Sequence, residues 1–174
     1  YAQDNGKFIV YDPNFRHDFW KDDKGNNSKD DFISSSRYMI SKSHVVKVSE
    51  EEAILIAKES SIQKAARYFL ALGAKIILVT CAEKGAYAFK EGYSELVPSI
   101  TIECVDSTGA GDAFIGAFLY KLSMLEDMNE IFKKDYLLKD FVSFANKAGA
   151  ICCTRLGAME GMPSIADMDR ICQN

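Results

Sequence analysis

One stretch of the chain joins small residues, two carboxylates and an apolar pattern of helical spacing. It covers residues 105–118, with the sequence VDSTGAGDAFIGAF. Gly109 and Gly111 let the backbone approach a ligand closely. At a helix start, the N–H groups of residues 109–112 lack intrahelical partners, and such donors attract anions together with the helix dipole. Asp112 lies in the same first turn, where it could accept a proton.

An anion cradle beside a general base suggests transfer of a phosphoryl group to a hydroxyl. A capped turn with no ligand is the alternative from these residues alone.

A second polar group, Asp12 to Arg16, follows a strand predicted over residues 7–11 (KFIVY). Ligands of parallel α/β sheets bind at the carboxyl ends of strands, and the guanidinium of Arg16 could hold an anionic or polyhydroxy ligand. A solvated turn is the alternative there.

Ser49 and Glu52 have the spacing of a helix capping box. Glu52 could equally organise the water shell of magnesium, which binds few carboxylates directly. Capping is the simpler interpretation, and the two roles do not exclude each other.

The elements that must position these residues alternate along the chain. Runs rich in β-branched and aromatic residues predict strands over 7–11, 45–48, 76–80, 86–90, 93–97 and 100–105. Apolar residues at helical spacing predict helices over 30–41, 50–72 (in two parts, split near Ser60), 110–126, 137–152 and 164–172. Residues 21–30 are polar and predict a surface loop. The alternation indicates one α/β domain over residues 1–174, a mostly parallel sheet flanked by helices.

Composition narrows the class of protein. The 174 residues are 48% hydrophobic and 26% charged, with a net charge of -4, as in ordinary soluble proteins. The sequence has no cluster of Lys and Arg of the kind that binds nucleic acid, and no apolar run approaches the ~20 residues of a membrane span. The five cysteines are odd in number and form no CxxC pair, so we expect buried, reduced thiols in a cytoplasmic protein rather than a zinc site or a disulfide framework.

The motifs resemble those of one family in their type and order. Residues 106–114 (DSTGAGDAF) are similar to the signature of the ribokinase-like (PfkB) carbohydrate kinases, and residues 12–16 (DPNFR) resemble a segment of fructokinases and 2-keto-3-deoxygluconate kinases. Residues 47–52, 79–85, 145–150 and 154–158 resemble further family motifs. The match covers nearly the whole chain. It implies a ribokinase-like fold whose amino-terminal strands and β-lid are absent from this chain, so we expect the carboxyl-terminal portion of a longer protein.

The resemblance implies an ATP-dependent kinase that phosphorylates a sugar hydroxyl. Asp112 would be the catalytic base, and Gly109, Ala110 and Gly111 would form the anion hole. Arg16, Asn14 and Asp112 would lie toward the sugar, and Glu52 would order Mg²⁺ through water. Asp106 and Thr108 match the place where many relatives hold a monovalent cation such as K⁺. The residues implied along the nucleotide are Lys47, Ser49, Thr80, Ala82, Glu83, Gly85, Gly109, Gly111 and Asn146.

Two residues depart from the family pattern: Ala82 replaces a glycine, and Ser49 replaces an asparagine, as in fructokinase-like members. A fructokinase-like acceptor is therefore the first expectation. The alternatives are a 2-keto-3-deoxygluconate, ribose or nucleoside kinase of the same fold, or a catalytically silent sugar-sensing relative. The full-length protein is expected to be a homodimer that binds sugar and ATP but no nucleic acid or membrane. The 174 residues alone are expected to be weakly active or inactive.

Overall fold

Short parallel strands form the start of the sheet in this computed structural model, which describes residues 1–16, 19–20 and 28–170. The strands are β1 (Val10–Tyr11), β2 (Val45–Ser49), β3 (Ile76–Thr80), β4 (Ala86–Lys90) and β5 (Tyr93–Val97), and they are neighbours in that order. β2 runs parallel to β1 and to β3, with Val45 opposite both Val10 and Ile76. The first four residues of β2 and of β3 are buried, as their apolar runs predict. The α/β fold class is confirmed.

The chain divides into two compact units. The first comprises Tyr1–Thr80 and Phe89–Ser94, and the second comprises Cys81–Ala88 and Glu95–Asn174. The prediction of a single domain over residues 1–174 stays a prediction. Of the loop predicted over residues 21–30, residues 21–27 lie outside the described part of the chain.

Three helices of the first unit cover its strands: α1 (Lys29–Ile40), α2 (Glu50–Ala57) and α3 (Ile62–Leu72). The predicted division of residues 50–72 is confirmed, because α2 ends at Lys58 in a left-handed conformation (φ 56°). The hydroxyl of Ser61 then accepts the N–H of Lys64 and caps α3, which Gly73 ends at φ 122°. Phe32, Ile56 and Phe69 place one apolar side chain from each helix in the core.

The second unit is built on two long helices. Its helices are α4 (Ala110–Ser123), α5 (Glu130–Lys133), α6 (Asp135–Cys152), α7 (Ala158–Gly161) and α8 (Ile165–Arg170). The rings of Phe118 in α4 and Phe141 in α6 meet edge to face, with centroids 6.0 Å apart. A Cβ added at Gly149 would lie 3.2 Å from the carbonyl oxygen of Ala110, so α6 passes close to the start of α4. Cys172, in the last predicted helix, lies outside the described residues.

Two strand predictions are wrong in whole or in part. Residues 100–105 form no strand, and Val105 is 61% exposed. β-branched residues favour a strand only where neighbouring strands and side chains pack against them. Here the N–H groups of Val105 and Asp106 donate instead to the carbonyl oxygen of Cys153, at 2.8 and 3.2 Å. The strand predicted over residues 7–11 is reduced to β1.

No disulfide joins the cysteines of the described ranges, where Cys81 and Cys152 are buried and Cys153 is partly buried. The expectation of buried thiols is wrong for Cys104, because the segment that carries it forms no strand and remains exposed. No helix within residues 1–16, 19–20 and 28–170 has the length and apolar character needed to cross a bilayer.

Candidate functional site

The first unit gathers charged side chains at the carboxyl ends of β1 and β2. We call Asp12, Phe15, Lys47, Ser49 and Glu52 the Asp12 cluster. Asp12 follows β1, Lys47 and Ser49 belong to β2, and Glu52 lies in the first turn of α2. Because β1 and β2 are parallel neighbours, their carboxyl ends meet at one edge of the sheet.

Glu52 uses both carboxylate oxygens to hold backbone N–H groups. Its Oε2 accepts the N–H of Ser49 at 2.8 Å, while the hydroxyl of Ser49 accepts the N–H of Glu52 at 3.1 Å. This reciprocal pair is a capping box, which confirms the capping prediction. Its Oε1 accepts the N–H of Phe15 at 2.6 Å. One carboxylate therefore fixes the start of α2 and the segment after β1.

Asp12 and Lys47 form a largely buried ion pair. The Nζ of Lys47 lies 3.0 Å from Oδ2 of Asp12, and the two side chains are 9% and 18% exposed. Oδ1 of Asp12 accepts the N–H of Asn14 at 3.1 Å. Burial raises the pKa of Asp12 above its ordinary value, and the neighbouring Lys47 offsets only part of that effect. The pair fixes the turn that carries Asn14, whose φ is 42°.

The other predicted residues of the first unit have different surroundings. Arg16 and Asn14, the predicted sugar contacts, are exposed. Lys47, predicted along the nucleotide, is paired with Asp12, and the hydroxyl of Thr80 donates to the carbonyl oxygen of Val48 at 3.4 Å. The sugar contacts of Arg16 and Asn14, and the nucleotide contacts of Lys47 and Thr80, stay predictions.

The donor set of Glu52 fits magnesium only through water. Both of its oxygens already accept N–H groups, which leaves each with capacity to accept from a metal-bound water. Within the described ranges, no group of three or more His, Cys, Asp or Glu residues could hold a metal ion directly.

The second unit places the small-residue turn at the start of α4, with its last three residues in the first turn of that helix. We call residues 106–112 the Asp106 turn. Gly109 adopts φ 84°, and its carbonyl oxygen accepts the N–H of Ala113 at 2.8 Å. The N–H of Ala110, one of the predicted anion-hole donors, donates to the carbonyl oxygen of Ser107 at 3.2 Å. Across the described residues, no acceptor pairs with the N–H groups of Gly109, Gly111 and Asp112.

Asp106 braces this turn with both carboxylate oxygens. Its Oδ1 accepts the N–H and the hydroxyl of Thr108 at 2.9 and 2.7 Å, and its Oδ2 accepts the N–H of Gly157 at 2.9 Å. These donated hydrogen bonds, led by the hydroxyl of Thr108, lower the pKa of Asp106 below its ordinary value. Because its oxygens already have partners, the monovalent-cation site expected at Asp106 and Thr108 stays a prediction.

Asp112 differs from Asp106 because its carboxylate is exposed and has no hydrogen-bond partner among the described residues. It borders an open cavity of about 360 Å³. The cavity is lined by the α4 face from Asp112 to Tyr120, by Phe144 and Ala148 of α6, and by residues 162–165 with Met168. A proton acceptor therefore lies at the rim of a largely apolar cavity.

Three residues predicted along the nucleotide also have structural roles. Ala82 adopts φ 49°, a conformation that glycine accepts more readily. Gly85 adopts φ 102°, and a Cβ added there would lie 2.2 Å from the carbonyl oxygen of Val97. Asn146 is buried, and its amide donates to the carbonyl oxygens of Val97 and Pro98 at 2.8 and 3.3 Å. Glu83 is exposed.

The sequence motifs did not predict two hydrogen bonds that anchor the site. The bond from Phe15 to Glu52 joins residues that are 37 positions apart, and the bond from Gly157 to Asp106 joins residues 51 apart. Both donors are backbone N–H groups, which leave no trace in residue type. The available signal was indirect: Gly157, at φ 84°, is a glycine between two predicted elements.

Comparison with known proteins adds the identity of the fold. The family described as pfkB family carbohydrate kinase matches residues 1–165. A fructokinase of Vibrio alginolyticus is 31% identical over 97% of this chain and 52% of its own length. The structure of a double-mutant fructokinase of Vibrio cholerae O395 with fructose, ADP and potassium has a TM-score of 0.85 and 27% identity, over 97% of this chain and 51% of that one.

A further similar structure is described as a putative ribokinase II of E. coli in complex with ATP and Mg²⁺. It has a TM-score of 0.78 and 26% identity, over 99% of this chain and 50% of that one. The chain thus spans about half the length of these three relatives. Since the family match extends over residues 1–165, this chain belongs to the pfkB family of carbohydrate kinases.

Proposed function

We propose that this chain carries the phosphoryl-transfer groups of an ATP-dependent sugar kinase, with fructose as the first acceptor. The observation that carries the proposal is the state of Asp112. Its carboxylate is exposed and unpaired among the described residues, one turn from backbone donors that are also unpaired. A carboxylate that holds nothing in place can accept a proton, and unpaired N–H groups can face a developing negative charge.

In the proposed reaction, Asp112 removes the proton from the sugar hydroxyl as its oxygen attacks the terminal phosphorus of ATP. The bond to the leaving ADP breaks, and the proton stays on the carboxylate. The N–H groups of Gly109 and Gly111 stabilise the charge on the transferring phosphoryl group. The N–H of Ala110 contributes once it releases the carbonyl oxygen of Ser107, to which it donates at 3.2 Å.

The metal and nucleotide assignments rest on the family. Magnesium bound to ATP neutralises charge on the phosphates and aligns them. Glu52 would hold a water of that ion, which is the role that its two N–H bonds leave open. ADP in the V. cholerae structure and ATP with Mg²⁺ in the E. coli structure support these ligands. The homodimer of the full-length protein remains a prediction.

Fructose is favoured because a Vibrio fructokinase aligns over 97% of the chain and its V. cholerae counterpart holds fructose. The segment Asp12 to Arg16 resembles that of fructokinases and of 2-keto-3-deoxygluconate kinases. A substrate panel on the full-length protein separates the acceptors: fructose, 2-keto-3-deoxygluconate, ribose and a nucleoside. Absence of phosphorylation of all four would favour the sugar-sensing alternative.

Replacing Asp112 with asparagine in the full-length protein tests the base. We expect kcat to fall about 10²–10⁴-fold. The melting temperature should stay within about 1 °C of the wild type, because the Asp112 carboxylate is bonded to none of the described residues. Asp169→Asn, which neutralises an exposed carboxylate on α8, is the matched control and should retain full activity. Near-normal phosphorylation by the Asp112→Asn variant would show that another group is the base.

The 174 residues by themselves should phosphorylate sugar weakly or not at all. They span about half of the two Vibrio fructokinases, and few of their predicted groups contact the acceptor. A coupled assay for sugar-dependent ADP release, run on the 174-residue chain and on the full-length protein at equal concentration, measures the difference. Equal rates would contradict the expectation.

A further inference from the structure

Cys104 and Cys153 meet in the second unit through both side chain and backbone. Burial and the neighbouring Cys104 side chain raise the pKa of the Cys153 thiol, which indicates that the two side chains are close. The two residues that follow Cys104 donate their N–H groups to the carbonyl oxygen of Cys153, at 2.8 and 3.2 Å. The segment that carries Cys104 is therefore held against the end of α6 beside Cys153. Neither thiol has a role in the proposed phosphoryl transfer.

We propose that Cys104 and Cys153 form a reversible disulfide when the protein meets a hydroperoxide. A disulfide needs its two Cα atoms within about 4.4–6.8 Å and its Cβ atoms directed toward each other. The hydrogen bonds from residues 105 and 106 to Cys153 hold the two backbone segments side by side, as such a bridge requires. The inference goes beyond the proposed kinase activity and is independent of it.

The chemistry proceeds in two steps that balance. The sulfur of Cys104 attacks one oxygen of hydrogen peroxide, the O–O bond breaks, and a sulfenic acid and one water form. The sulfur of Cys153 then attacks the oxidised sulfur, and the sulfenic oxygen leaves as a second water. Two thiols lose two electrons and two protons in total, and the peroxide is reduced to water.

Exposure sets the order of the two steps. Cys104 is exposed, whereas Cys153 is partly buried. Solvent oxidants therefore reach Cys104 first. Cys153 acts as the resolving thiol because its backbone is held beside residues 105 and 106.

The neighbouring thiols are less suitable partners. Cys81 and Cys152 are buried. The sulfur of Cys152 lies 3.6 Å from the carbonyl oxygen of Thr108, inside the contact between α6 and the Asp106 turn. Burial and the nearby Asp106 and Asp112 raise the pKa of the Cys152 thiol. Oxidation should therefore select Cys153 over the adjacent residue.

Peptide mapping of the full-length protein tests the bridge. The protein is treated with hydrogen peroxide, remaining thiols are alkylated, and trypsin is added without reductant. Cleavage after Lys90, Lys121, Lys147 and Arg155 gives one peptide of residues 91–121, with Cys104, and another of residues 148–155, with Cys152 and Cys153. We expect these two peptides to be cross-linked within one chain, and dithiothreitol to separate them.

Single substitutions identify the sulfurs. Cys104→Ser and Cys153→Ser should each abolish the cross-link, whereas Cys81→Ser, which removes a buried thiol, should retain it. The oxidised wild type should also melt a few degrees higher than the reduced protein, about 2–4 °C or more, because the bridge constrains the unfolded chain.

Three results would overturn the inference. They are a cross-link that persists in Cys153→Ser, a bridge between two chains through Cys104, and oxidation of Cys104 to the sulfinic acid with Cys153 still free. The peptide map alone decides the inference, because the presence of the cross-link is measured independently of kinase activity.

Discussion

The Asp12 cluster and the Asp106 turn both place carboxylates where the chain leaves regular structure, but they use them differently. In the Asp12 cluster, the carboxylates of Asp12 and Glu52 are each bound on both oxygens by groups of the protein. In the Asp106 turn, Asp106 is bound in the same way, while Asp112 is exposed without such partners in the described chain.

The difference separates carboxylates that hold the fold from one that is available for chemistry. Glu52 joins the start of α2 to the segment after β1, and Asp106 joins the start of α4 to the loop at Gly157. Each acts as a clamp on backbone N–H groups. Both clamped helices carry a further acid in the first turn, Glu50 and Glu51 in α2 and Asp112 in α4, but only the first turn of α4 follows a glycine in the left-handed conformation. The proposal that Asp112 accepts the proton rests on its unpaired carboxylate beside the N–H groups of Gly109 and Gly111, which have no acceptor in the described part of the chain.

Glu52→Ala should have the largest effect on stability. The substitution leaves the N–H groups of Phe15 and Ser49 without their acceptor in a half-buried place. Each such loss costs about 1–3 kcal/mol, so we expect the free energy of unfolding of the full-length protein to fall by about 2–6 kcal/mol. Urea denaturation followed by circular dichroism measures it.

Ser49→Ala is the control for Glu52→Ala. It removes only the hydroxyl that accepts the N–H of Glu52 and leaves the carboxylate in place. Loss of a cap of this kind costs about 1 kcal/mol. If both variants lose the same free energy of unfolding, the hydrogen bond from Phe15 to Glu52 does not stabilise the protein, and Glu52 does not act as a clamp between β1 and α2.

Gly109→Ala should destabilise the Asp106 turn by about 2 kcal/mol, since a left-handed residue other than glycine costs roughly 1–2 kcal/mol before any clash. Gly109 has φ 84°, and an added Cβ would lie 2.8 Å from Cβ of Ala158. Ala158→Gly in the same chain should restore part of the loss. Thermal and urea unfolding measure both variants.

Gly116→Ala provides the opposite case within the same helix. An added Cβ at Gly116 meets no atom within 4 Å, so the substitution should stabilise α4 by about 0.5–1 kcal/mol. A similar loss at Gly109 and Gly116 would indicate that the turn is not held in the left-handed conformation.

Sequence reasoning predicted the elements whose pattern repeats. β2 and β3 are apolar runs and are buried strands, and the break between α2 and α3 lies where polar residues interrupt the helical spacing. Residues 100–105 have the same β-branched character but form no strand. Composition describes the surface that a strand offers, whereas a strand also needs a neighbour that pairs with it.

In the site, too, some contacts could be predicted from the sequence and others could not. The capping role of Glu52 could be predicted because its partner, Ser49, is three residues away. Its bond to Phe15 could not, because a backbone N–H can come from any residue type and is brought close only by the parallel pairing of β1 and β2. Ala82 illustrates an intermediate case: its departure from the family glycine was visible, and its φ of 49° gives the reason for the glycine.

The smallest expected effect is a difference in pH dependence between the two regions. Burial raises the pKa of Asp12 above 3.8, so folding favours its protonated form, and the cost of ionising it is relieved as the pH falls through its folded pKa toward 3.8. Hydrogen bonds lower the pKa of Asp106 below 3.8, so its contribution to the free energy of unfolding is complete above pH 3.8 and is lost as the pH falls through its folded pKa.

The comparison is made against variants that lack each carboxylate. Relative to Asp12→Asn, the wild type should gain free energy of unfolding on acidification, whereas relative to Asp106→Asn it should lose it. Urea titrations of the three proteins from about pH 7 to about pH 3 measure both differences. The same sign for both would mean that the two carboxylates have equivalent surroundings, which would remove the basis for separating the regions.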